Sequence, residues 1–409
     1  MPSRLSKYVM VAALLLAGCA FQKPMPQQQV AYTINPAPPL VSQNAIPPVK
    51  GEIPPAAPTL KVALLLPLSG DSVAIGNAML DAATMALSDA YFTAPTGRIH
   101  TQVILLPKDT GVTAAKTKAG LQEAIDQGAT VVIGPLFSTS VTAVAELAKA
   151  HHMPVISFSN NAAVADKDIY TFGFMPEQQV TRMAEYAYLH NYQRVAVLAP
   201  NDAYGSKIKD ALSAAYTQKG GTVMPAELYA SSAINIDAAV SRIAAAYNNA
   251  KDDRRFQAIF VADSGSQMKN IIASLKKNNI DLTKIKLLGT GLWDDPEIPA
   301  IPDMAGAWFP SSPSEPYGIF EKRFMSTYNY KPIRLASLAY DAVTLVANLA
   351  MPTAGTGIDA AMLTDSQGFV GPANGLYRLN ENGTSDRKLA VMEVTSGGVK
   401  VIDPAKNHF

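Results

Sequence analysis

Hydroxyl and amide side chains at strand ends are the chemistry this sequence offers most openly. Ser138 follows an apolar run at 130–133 and the stop Gly134-Pro135, and Ser159, Asn160 and Asn161 follow a second apolar run at 154–157. Such groups donate and accept hydrogen bonds, so they suit holding a polar ligand. Between the two runs Val141, Val144, Ala145 and Ala148 recur at helical spacing, with Ser138 where an N-cap belongs. The stretch therefore predicts a β-loop-α-β unit with parallel strands. Its polar loops fall at the carboxyl ends of those strands, where open α/β sheets place their ligands. Two readings stay open: ligand-facing loops, or ordinary capping chemistry.

Groups that could catalyse are scattered. His100, His151, His152, His190 and His408 are dispersed and none has metal-ligand spacing. His151-His152 precedes Pro154 at a helix end, where a cation is welcome. Asp294-Asp295 reads as a loop acidic pair and Lys276-Lys277 as a solvated helix end. Gly289-Thr290-Gly291 lacks the third glycine of a dinucleotide fingerprint. Asn382-Gly383-Thr384 matches a glycosylation sequon but reads better as a hairpin turn. No enzyme activity, metal or cofactor is expected.

These groups need a large scaffold, and 409 residues can build two cores. Hydrophobic content of 48%, 16% charge and a formal charge of +1, with no basic stripe, exclude a nucleic-acid binder. From residue 61 apolar strands at 62–66, 102–106, 130–133 and 154–157 alternate with helical stretches, predicting a parallel sheet covered on both faces. A strand near 170–174 closes this lobe. The pattern restarts with a helix at 177–190 and continues with strands at 194–199, 222–228, 257–261 and 286–288, a second α/β lobe. A strand at 305–309, helices at 317–328 and 335–350, and antiparallel hairpins at 375–402 follow.

The first residues are a targeting segment: Arg4 and Lys7, an apolar stretch at 8–16, then Leu16-Ala17-Gly18-Cys19. Nine apolar residues are too few to span a bilayer. The last four resemble the bacterial lipobox, in which Cys19, here the only cysteine, is lipidated and becomes the mature N-terminus. By the same pattern, Ala20 in place of an Asp favours the outer membrane. Residues 20–58 hold ten of the 29 prolines and no apolar periodicity, so they read as a disordered tether of up to ~120 Å at ~3.1 Å per residue.

Two α/β lobes with a β tail behind a secretion signal resemble the type I periplasmic-binding-protein fold, of the Leu/Ile/Val-binding-protein-like superfamily. The resemblance covers roughly 60–403. It is carried by LLLPLSG at 64–70, IGPLFSTS at 133–140, VISFSNN at 155–161, NDAYG at 201–205 and FVGPANGLYRLNENG at 369–383. Within that superfamily the chain is most similar to the penicillin-binding protein activator lipoproteins, through IGNAMLDAATMAL at 75–87, LPKDTG at 106–111 and GFMPEQQV at 173–180. It lacks the helical-repeat domain that some members carry.

The resemblance implies two doubly wound α/β lobes joined by three crossovers, near 174, 299–304 and 368. The expected parts are a signal peptide (1–18), a lipidated linker (19–58), lobe 1 (59–174 and 304–366) and lobe 2 (175–303 and 367–409). The implied cleft takes a small polar ligand through Ser69, Ser138, Thr139, Ser159 and Asn161 of the first lobe and Tyr204, Asp263, Ser264 and Trp293 of the second. Amino-acid-binding members supply a second-lobe carboxylate for the ligand's ammonium. Here the matching strand end, 289–293, has none, and only Asp263 could substitute. The implied partner is a bifunctional penicillin-binding protein, a peptidoglycan synthase, reached from the outer membrane through the lipid anchor. The alternative is a small-molecule receptor that feeds an importer or senses a cell-wall fragment.

Overall fold

A computed structural model describes residues 57–93, 101–230, 232–353 and 355–409. The expected signal peptide, Cys19 and residues 20–56 of the expected tether lie outside the described residues. In chain order the elements are β1 (Thr59–Leu66), α1 (Val73–Thr93), β2 (Gln102–Asp109), α2 (Ala114–Asp126), β3 (Val131–Ile133), α3 (Ser138–Ala150), β4 (Val155–Ser157) and β5 (Ile169–Thr171). Then come α4 (Pro176–Leu189), β6 (Arg194–Pro200), α5 (Ala203–Lys219), β7 (Thr222–Tyr229), α6 (Ala233–Asn249), β8 (Ala258–Val261), α7 (Gly265–Lys277), β9 (Lys286–Gly289) and β10 (Trp308–Ser311). The chain ends with α8 (Ser314–Tyr328), α9 (Ala336–Ala350), α10 (Ala360–Leu363), β11 (Phe369–Gly371), β12 (Gly375–Leu379), β13 (Ser385–Arg387), β14 (Ala390–Thr395) and β15 (Gly398–Asp403).

The first lobe is a five-stranded parallel sheet in the order β2-β1-β3-β4-β5. Val62 to Leu66 are buried on both faces, which is why β1 reads as an unbroken apolar run. Leu64 and Leu66 face a core built with α1 and α9, while Ala63 and Leu65 face a second core with α2 and α3. The second lobe has seven strands in the order β15-β14-β10-β9-β8-β6-β7, with α6 and α7 on one face and α4 and α5 on the other. Both lobes are doubly wound α/β, as expected. At Gly134 the chain turns sharply with φ +91°, and a Cβ there would stand 2.2 Å from the Leu65 carbonyl oxygen. Only glycine lets the loop after β3 cross so close to β1.

Two expected boundaries move. Strand β10 pairs with β9 in parallel and with β14 antiparallel, so residues 304–311 belong to the second lobe and the chain crosses back after Ser311, not at 299–304. At the other end, Tyr377, Leu379 and Ala373 are buried in the first lobe's core, so the small sheet β11-β12-β13 stays with lobe 1. The third crossing lies between Arg387 and Ala390 rather than near 368. The sequence concealed this because the apolar alternation of the tail says that it is β but not which core it faces.

Among the described residues no helix is long and apolar enough to cross a membrane.

Candidate functional site

Between the lobes lies a cavity of about 360 Å³, built from the carboxyl-end loops of both sheets and the crossovers. Lobe 1 contributes Asn160, after β4, and Arg334 and Leu335, just ahead of α9. Lobe 2 contributes Gln179 on α4, Tyr204 on α5, Ser264 after β8, and Gly291, Leu292, Asp294 and Asp295 after β9. Phe174 and Ser312 enter from the first and second crossovers. On the lobe 1 side a shallower hollow of about 380 Å³ is lined by Val112, Leu136, Phe137, Ser138, Thr139, Ser159 and Asn160. Asn160 lines both.

The residues implied by resemblance separate into four groups. Tyr204 and Ser264 line the cavity, and the Tyr204 hydroxyl lies 3.0 Å from Thr290 Oγ1. Burial pushes its pKa up to about 12, so it is a neutral hydrogen-bonding group. Ser138, Thr139 and Ser159 line the lobe 1 hollow. Ser138 is the first residue of α3 rather than its cap; Phe137 occupies the cap position without a side-chain bond.

Ser69 and Asn161 are engaged elsewhere. Ser69 Oγ accepts from Lys116 Nζ at 2.8 Å, and the same ammonium pairs with Asp109. Burial opposes charge on Asp109. Hydrogen bonds from Lys116, Ser69 and the Gly111 and Leu68 amides outweigh it and hold the carboxyl well below the usual range. Asn161 Oδ1 accepts from the Ala163 amide at 3.2 Å and from Lys207 Nζ, across the lobes, at 3.4 Å. Lys207 also pairs with Glu177 at 3.1 Å.

Asp263 and Trp293 do not reach the cavity. The Asp263 carboxylate accepts from the Tyr229 hydroxyl and, at 2.8 Å, from the Ser264 amide. Trp293 is fully buried in the lobe 2 core, donates its Nε1 hydrogen to the Asp263 carbonyl at 2.8 Å, and meets Phe309 edge-on. An indole with its single donor satisfied inside a core is packing. Asp263 therefore does not stand in for an ammonium-pairing acid.

The cavity has its charges from residues that the resemblance did not supply. Arg334 Nε lies 3.5 Å from Asp294 Oδ2, an ion pair that spans the lobes, and Ser311 Oγ donates to the same oxygen at 2.7 Å. The Arg334 guanidinium stacks 3.8 Å from the Tyr317 ring centroid and 5.6 Å from that of Phe174. Gln179 Oε1 accepts from the Gly291 amide at 2.9 Å and fixes the turn that presents Asp294. One sequence signal was available. A lone arginine just ahead of an apolar helix opposes the helix dipole, so another interaction must hold it there.

A model of the family described as periplasmic binding protein matches residues 59–399. Among curated proteins, an uncharacterized protein of Rickettsia prowazekii is 25% identical over 224 residues, 54% of this chain and 58% of that one. The penicillin-binding protein activator LpoA of Glaesserella parasuis is 28% identical over 158 residues, 38% of this chain and 25% of that one. The chain thus spans less than two thirds of the curated relatives it matches. Among solved structures, an ABC transporter substrate-binding protein from Sphaerobacter thermophilus superposes with a TM-score of 0.69 at 17% identity, covering 86% of this chain and 98% of that one. The leucine binding protein LivK from Thermotoga maritima superposes with a TM-score of 0.61 at 21% identity, covering 84% and 97%.

Proposed function

Because this chain belongs to the periplasmic binding protein family, we propose that it is a non-enzymatic binding protein of the cell envelope that activates a peptidoglycan synthase. The observation that carries this reading is the 158-residue match to a penicillin-binding protein activator. The cleft is consistent with it. The one arginine lining the cavity is already paired with the chain's own Asp294, and the two lobes are bridged again by Asn161 and Lys207. A body already held together across its cleft suits a protein that presents a surface. The lipobox at Cys19 would anchor it in the outer membrane, and residues 20–58 would carry it toward a synthase rooted in the inner one.

A second reading, a small-molecule receptor for import or for sensing a wall fragment, is favoured by the cavity itself, which is lined from both lobes as ligand sites are. Deleting residues 22–54 separates the two. An activator so shortened should still bind the purified synthase but fail in cells for want of reach. A receptor should keep ligand uptake. Full cellular function of the shortened activator would count against the first reading.

A further inference from the structure

The hinge end of the cavity holds two polar groups that the protein leaves unanswered. Ser312 is 3% exposed, and its Oγ has no hydrogen-bond partner. Arg334 Nη1 is also buried without a partner, although Nε of the same guanidinium faces Asp294. Both residues line the cavity. Buried polar atoms are nearly always paired, so two in one cavity point to a group that arrives from outside.

The Tyr317 ring, 3.8 Å from the guanidinium carbon, and the Asp294 carboxylate on Nε hold the group in place from two sides. An in-plane N–H of a cation together with a hydroxyl matches a carboxylate. Asp294 and Asp295 give the lining two carboxylates against one guanidinium. A multiply charged anion is repelled there, whereas a single carboxylate on an otherwise neutral or zwitterionic molecule is tolerated. The volume of about 360 Å³ and the apolar walls of Phe174, Leu292 and Leu335 suit a compact molecule.

We propose that the cleft binds a small ligand with one carboxylate, and that this carboxylate docks on Arg334 and Ser312 at the hinge end instead of on the Ser138 and Thr139 loop. The proposal rests on the cleft being a ligand site and is tested separately from the synthase, whose stimulation is measured with none of the test acids added.

Calorimetric titration of the purified protein tests it with alanine, alanyl-alanine and benzoate, each beside its carboxamide. At least one acid binds, its carboxamide binds at least about tenfold more weakly, and the acid that binds identifies a free amino acid, a peptide terminus or an aromatic acid as the source. Arg334→Gln weakens that acid about ten- to a hundredfold, the range for losing a charged hydrogen bond. Ser312→Ala weakens it about two- to tenfold. Because it removes an unpartnered hydroxyl, it leaves the melting temperature intact and guards against misfolding of the arginine variant. Equal binding of acids and carboxamides, or no binding of any acid, overturns the proposal. So does loss of affinity in Ser138→Ala while Ser312→Ala and Arg334→Gln bind normally, because that places the carboxylate on the lobe 1 loop.

Discussion

At the scale of single residues, the hinge side of the first lobe contains charge in an apolar setting. Asp341 on α9 is fully buried; its carboxylate accepts from the Ala373 amide at 2.8 Å and from Asn374 Nδ2 at 2.9 Å. Burial pushes its pKa from 3.8 up to about 6, against the pull of nearby Arg387. The folded state therefore holds this proton more tightly than the unfolded chain. Below about pH 4 both states are protonated and the group is neutral to stability. As pH rises through 6 the penalty becomes complete, on the order of 3 kcal/mol at ~1.4 kcal/mol per unit. Asp341→Asn removes this dependence. Melting temperatures of both proteins from pH 5 to 7.5 should show the variant gaining on the parent as pH rises; a constant difference would contradict the assignment. Arg387 is itself held in place: it donates to the Phe172 carbonyl at 2.9 Å and lies over the rings of Phe172 and Tyr377, joining the first and third crossovers. Neither residue was legible in the sequence, because a lone Asp in an apolar helix and a lone Arg in a strand carry no spacing signal. Tyr204 and Ser264 were reached by resemblance, while Arg334 and Asp294 were not, because their partnership spans 40 residues and two lobes.

At the scale of elements, strand and helix order was legible because continuous apolar runs and helical spacing report burial directly. The crossovers were not, since β10 and the β11-β12-β13 sheet are assigned to a lobe by pairing and not by pattern. The turn at Asn382-Gly383 shows where the tail is held. The Gly383 carbonyl accepts from the Thr171 amide at 2.8 Å, which docks the β12–β13 hairpin on the edge of β5. Gly383 has φ +80°, and a Cβ there would stand 2.2 Å from the Asp166 carbonyl oxygen and 2.3 Å from that of Ile169. Gly383→Ala should therefore cost more than the ~1–2 kcal/mol of a left-handed alanine alone and lower the melting temperature by several degrees. Gly397→Ala, with nothing within 4 Å, should be close to neutral in the same thermal scan. Equal effects at the two positions would mean that the hairpin is not held by this close approach.

At the scale of the whole molecule, the two-lobed body at 59–399 was legible because each lobe repeats the same alternation of strand and helix. What the body is proposed to do rests on the resemblance alone, since cleft loops of hydroxyls and amides and a scattered set of histidines name no reaction. The central claim is that this body acts on a peptidoglycan synthase. Its most direct test is the rate of glycan polymerisation by the purified cognate synthase, with and without an excess of this protein whose folding has been verified by its melting transition. The account predicts saturable stimulation, retained when the cleft is altered by Ser312→Ala. An unchanged rate, with no binding between the two purified proteins, would contradict it.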